Sequence, residues 1–103
     1  MAKSLKVAAI AAMLVSAPVL ASDLAEIQAT KDASVSLVQA VQAAEKEHDG
    51  GRAMQAEIEA KRRSDRTEIF YEVKVLAGDG KVFDVIVDAR SGRVISSRED
   101  IYD

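Results

Sequence analysis

Apolar residues recur along this chain at two periods, and the change of period divides it. In VSLVQAVQAAEKEHDGG, residues 35–51, Leu37, Ala40, Val41 and Ala44 fall at i, i+3, i+4 and i+7, the single stripe of an amphipathic helix. Ser36 is a good N-cap, Gln39 three residues on completes a capping box, and Val35 is placed to staple against the first turn. Lys46 and His48 close the helix where positive charge suits its dipole, and Gly50-Gly51 supplies a left-handed stop. His48, flanked by Glu47 and Asp49, reads as a solvated helix-end cation.

Beyond the glycine pair the period becomes two. In AMQAEIEAKRR, Met54, Ala56, Ile58 and Ala60 alternate with Gln55, Glu57, Glu59 and Lys61. Propensity alone leaves a helix open here, while the alternation and the preceding glycines favour a strand. Ile69, Tyr71, Val73 and Val75 then point one way, and Glu68, Phe70, Glu72 and Lys74 the other. AGDG turns the chain. Phe83, Val85 and Val87 make the inner face of the next strand, opposite Asp84 and Asp88, with Val82 and Ile86 as apolar exceptions. In the turn DARSG the Asp88 carboxylate is placed to accept nearby backbone amides and Gly92 takes the strained position. RVISS makes a short last strand. The pattern predicts an α+β fold, one amphipathic helix packed on a three- to four-stranded antiparallel sheet.

The N-terminus belongs to a different class of segment. MAKSLK carries Lys3 and Lys6, VAAIAAMLVSAPVLA is apolar but short and broken by Pro18, and the run ends in Val19-Leu20-Ala21. These are the three regions of a secretory signal peptide, expected over residues 1–21 with cleavage between Ala21 and Ser22, and a spanning helix needs a longer run. No transmembrane anchor is expected after cleavage. Residues 22–34 form a polar leader, either a short helix or a loose segment, and residues 99–103 a polar tail. All 17 acidic residues lie beyond the cleavage point, as do all of the 14 basic ones except Lys3 and Lys6. An acidic chain of this kind is a poor nucleic-acid binder. With no cysteine, an exported domain this small must stand on its core without disulfides.

Taken in order, the helix with Ala40 and Ala44, the glycine after it, the strand ending near Ile58, the YEV of Tyr71, Glu72 and Val73, the DGK turn at Asp79, Gly80 and Lys81, and VDARSGRV with Asp88 and Gly92 resemble the PepSY domain. That module is shared by propeptides of secreted metallopeptidases and many small exported bacterial proteins. The resemblance covers residues 35–98. It implies a cystatin-like helix on an antiparallel sheet and a role in binding or restraining peptidases.

Candidate chemistry is sparse. His48 stands alone as a potential general base, and one histidine without cysteine offers too few preferred zinc ligands. Asp79, Asp84 and Asp88 lack the spacing of a calcium loop. Turn chemistry is expected of Asp79 and Asp88, and solvent exposure of Asp84. KRRSDR, from Lys61 to Arg66, is the one basic cluster and reads as a solvated hairpin end, with an acidic protein patch or a membrane surface as the alternative contacts. Neither an enzyme nor a cofactor or metal site is expected. The function expected is that of a non-catalytic periplasmic or secreted binding module, a peptidase inhibitor or regulator acting by steric contact, with strand addition at an open sheet edge. The alternative is an accessory or sensory subunit of a cell-envelope complex. The candidate contact surface comprises Phe70 and Ile86, apolar residues on the polar side of the sheet, with Lys61, Arg62 and Arg63 at the hairpin.

Cleavage after Ala21 is checked by the intact mass of the exported protein. A mass beginning at Ser22 is expected, and a full-length chain recovered in the membrane would contradict it.

Overall fold

The computed structural model describes residues 21–101. Residues 1–20 of the expected signal segment, and Tyr102 and Asp103 of the expected tail, lie outside the described residues. Two helices, α1 (Ala21–Asp32) and α2 (Leu37–Glu47), precede four strands, β1 (Arg52–Arg62), β2 (Thr67–Leu76), β3 (Val82–Asp88) and β4 (Val94–Glu99). The strands form an antiparallel meander in the order β1-β2-β3-β4. The helices pack on one face of it, α1 against β1 and α2 across all four strands. This is the expected α+β fold with a second helix, so the leader takes the helical of its two readings.

The alternation of β2 and β3 sends Val73, Val75, Val85 and Val87 into complete burial, together with Ile69 and Tyr71. Facing them are Ala40 and Ala44 of α2 and Ala29 of α1. Alanines at the contact let each helix lie close to the sheet, and branched valines fill the space between. Leu24 and Ile27 of α1 are exposed, and among the described side chains of this helix Ala29 alone enters the core. That is why no apolar stripe announced it.

The capping box forms as expected. The Gln39 N–H donates to Ser36 Oγ at 3.1 Å, and the Ser36 N–H to Gln39 Oε1 at 2.9 Å. Leu37, expected in the buried stripe, is instead exposed. It is the first residue of the helix, over a hollow between α1 and β1. Met54 is exposed as well, because a bulge between Ala53 and Gln55 shifts the register and turns Ala53 towards the core. The strand itself runs past Ile58 to Arg62. The tail expected from Glu99 starts later. Glu99 pairs with Phe83, and Asp100 donates its N–H to the Val82 carbonyl at 2.7 Å and accepts from Lys74 Nζ at 2.5 Å. Val82, of the outward parity, is buried at this end of the sheet.

The link between the helices is fastened to the sheet. The N–H groups of Ser34 and Val35 both donate to the Ala89 carbonyl, at 3.0 and 2.9 Å, and the Tyr71 hydroxyl donates to the Val35 carbonyl at 2.5 Å. Val35 therefore serves this junction, lying against Gly92. A Cβ on Gly92 would stand 3.1 Å from Val35 Cγ2, and its φ of +78° is one that side chains rarely adopt. The β3–β4 turn is held from inside, since Asp88 Oδ1 accepts the N–H groups of Arg90 at 2.7 Å and Ser91 at 3.0 Å. These bonds, Ser91 foremost, hold the Asp88 carboxyl below its ordinary range.

Val73→Asp places an unpaired charge at a fully buried position, costing about 3–5 kcal/mol in a domain whose whole stability is about 5–10 kcal/mol. A thermal melt should show the variant largely unfolded. For Asp88, a carboxyl with a depressed folded pKa adds stability above the unfolded value and loses it as pH falls through the folded one. The melting temperature should therefore decline as the pH is taken down through and below the ordinary carboxylate range, less steeply in Asp88→Asn.

A candidate contact surface on the open face of the sheet

The face of the sheet away from the helices carries the outward residues of each strand. The register places Glu59, Phe70 and Asp88 in one row and Glu57, Glu72, Ile86 and Ser96 in the next. Phe70 and Ile86 are half-buried and line a hollow of about 720 Å³. Ile95, at 61 % exposure, joins them. A register shift between Ile86 and Val87 leaves Ile95 as the extra residue of β4, and nothing in the local sequence announces that shift.

Charge borders the apolar floor. Lys61, Arg63, Arg66 and Arg90 line the hollow towards the hairpin, alongside Glu59, Glu68, Glu72 and Asp88. Arg62, the fifth residue expected at the contact surface, is exposed but does not line it. Arg63 Nε bonds Glu68 Oε1 at 2.7 Å, and Arg66 stands 3.9 Å from the other oxygen. The Arg63 bond holds the Glu68 carboxyl below its usual value. The basic hairpin end is thus partly neutralised by its own strand.

Glu72 behaves in the opposite way. Burial first, then the neighbouring carboxylates of Glu59, Asp84 and Glu57, push its carboxyl above the usual range. One ligand oxygen from each of Glu57, Glu59 and Glu72 lies within 4.8 Å of the others, a set that a cation could share. Two strands supply these carboxylates, so no linear spacing reveals them. The aspartates weighed from the sequence are not gathered. Asp79 caps its own turn, accepting the Lys81 N–H at 3.0 Å, and Gly80 sits in that turn with its N–H on the Ala77 carbonyl at 3.0 Å. Asp84, expected to be solvent-exposed, is half-buried and stands 3.5 Å from Lys74 Nζ. Asp88 serves the β3–β4 turn.

The reading of His48 as a solvated cation is corrected. Its ring stacks on Phe83 at a centroid distance of 4.0 Å, and Nε2 lies 2.7 Å from Ser97 Oγ. Gly51 brings the chain back beneath it, its N–H on the His48 carbonyl at 2.5 Å. A Cβ there would stand 2.7 Å from that oxygen. The histidine and serine fasten the end of α2 to β4, away from the hollow.

Tyr71, Val73 and Gly92 thus build the core and the junction beneath the helices, Asp79 and Gly80 a hairpin turn, and Glu72 and Asp88 line the open surface, Asp88 also holding the β3–β4 turn. No curated protein and no solved structure matches the chain. Residues 34–98 match a family model described as PepSY, peptidase propeptide and YPEB domain. With most of the chain matched, and with helices on one face of an antiparallel meander as the resemblance implied, the protein belongs to the PepSY family.

Proposed function

We propose that this chain is an exported, non-catalytic binding module that restrains or regulates a peptidase by contact through the open face of its sheet. Family membership supports the class of partner, since the PepSY domain is a peptidase-propeptide module. The observation that carries the surface is the hollow floored by Phe70, Ile86 and Ile95 and bordered by charge. An apolar centre within a polar border is how contact surfaces concentrate energy in few residues. Export rests on the signal-like N-terminus. No helix among the described residues is long and apolar enough to cross a membrane.

Binding on this face leaves the junction of Tyr71, Val35 and Ala89 untouched, so the module can act as a rigid body. Lys61 and Arg63 suit acidic groups on the partner, and Glu59 and Glu72 basic ones, which orients an occupant along the strands.

The test is capture of partners from envelope extract by the tagged protein, with thermal melts as the control. Phe70→Ser with Ile86→Ser should lower partner affinity by about tenfold or more, with a modest loss of stability. Ile95→Ser should weaken binding with the melt unchanged, because that side chain is largely exposed. His48→Ala should lower the melting temperature and leave capture intact. Capture unaffected by all three apolar changes would remove this face from the mechanism. A captured envelope-complex subunit in place of a peptidase would favour the accessory role.

A further inference from the structure

Among the described residues, no strand pairs with the outer edge of β1. The Arg63 N–H donates to the Arg66 carbonyl at 2.7 Å, and the Ala89 N–H to the Ile69 carbonyl at 3.1 Å. In antiparallel ladders the bonded pairs alternate. Both bonds therefore place the backbone groups of Glu57, Glu59 and Lys61 towards β2. Those of Ile58, Ala60 and Arg62 point out of the sheet, and β1 is an edge. Both helices lie on the inner face of the sheet, and Ala60, Lys61, Arg62 and Arg63 are exposed.

The side chains along this edge follow an order with two-fold meaning. On the open face the strand reads Glu57, Glu59, Lys61, Arg63, two acids and then two bases. We propose that β1 pairs antiparallel with β1 of a second copy, about a two-fold axis through Ala60, joining two sheets into one. In this register Ala60 exchanges both backbone bonds with Ala60 of the second copy, and Ile58 pairs with Arg62. Glu59 then faces Lys61 of the second copy, Glu57 faces Arg63, and symmetry repeats each pair. A slip of two residues either way sets Glu59 against Glu59 or Lys61 against Lys61. A slip of one turns the faces over. The charges therefore select one register.

The same pairing answers the crowding of acids within one copy. Glu57 stands directly opposite Glu72, with Glu59 beside them, and among the described residues none of the three makes a salt bridge. Like charges across a ladder are unfavourable. The second copy brings Lys61 and Arg63 to Glu59 and Glu57. Glu59 and Lys61 also line the hollow, so the pairing sets two hollows side by side on one continuous face.

Sedimentation of the purified chain over a concentration series tests this. A reversible dimer is expected, weaker at high salt because its selecting pairs are exposed. Glu59→Lys and Lys61→Glu should each raise the dissociation constant at least about tenfold, because each sets like charges opposite one another. Mixing these two variants should restore a dimer. Between unlike copies the two substituted side chains face each other as an acid and a base, and the unsubstituted Lys61 of one copy faces the unsubstituted Glu59 of the other. That rescue separates a lost interface from a damaged fold, and it stands whether or not a peptidase is the partner on the open face. A wild-type chain that stays monomeric at its highest soluble concentration would overturn the proposal. So would a dimer indifferent to both reversals, which would place the copies on another surface, or a mixture of the variants that stays monomeric.

Discussion

The short bond from the Tyr71 hydroxyl to the Val35 carbonyl sets the position of both helices. A phenol beneath two helices must find an acceptor or lose the hydration it gave up, and the acceptor here is the backbone where the chain passes from α1 to α2. The Ala89 carbonyl holds the same segment from the opposite side through two N–H groups. Clamped between a side chain of β2 and the turn after β3, the link has one place to be, and α2 leaves it in one direction. The Asp88 turn and the bare Gly92 exist at this spot because the link must lie against them.

This accounts for the composition of the core. A link held so close to the sheet brings the helices down with it, and only small side chains fit beneath. Ala29, Ala40 and Ala44 supply that closeness, and the valines of β2 and β3 supply the volume. The open face was left to other uses. There the strands carry mixed charge, an apolar floor at Phe70, Ile86 and Ile95, and a concentration of carboxylates that a framework alone would not need.

How much of this was legible in the chain follows from the range of each interaction. Ser36 and Gln39, Asp79 and Lys81, and Asp88 with Arg90 and Ser91 act within a few residues of each other, and their roles could be read directly. Strict alternation made Val73 and Val85 recognisable as core. The faces of Phe70 and Ile86 followed from the same alternation, although the hollow they share with Ile95 depends on a register shift that has no local signature. Long-range partners were invisible. His48 finds Ser97 and Phe83 across the fold, Asp84 finds Lys74, and Lys74 finds Asp100, none of which linear spacing discloses. The first helix was illegible for a different reason, since among its described side chains only Ala29 enters the core and no apolar stripe marks it.

The meander has a kinetic consequence. Every strand pairs with its neighbour in the chain, so each hairpin closes a short loop at little entropic cost, and the sheet can zip from any of its three turns. The helices come first in sequence, yet the turn they dock against is completed only when β4 pairs with β3. The sheet's pairing runs strand to strand without the helices, so the helix pair is a unit that can open while the sheet stays closed.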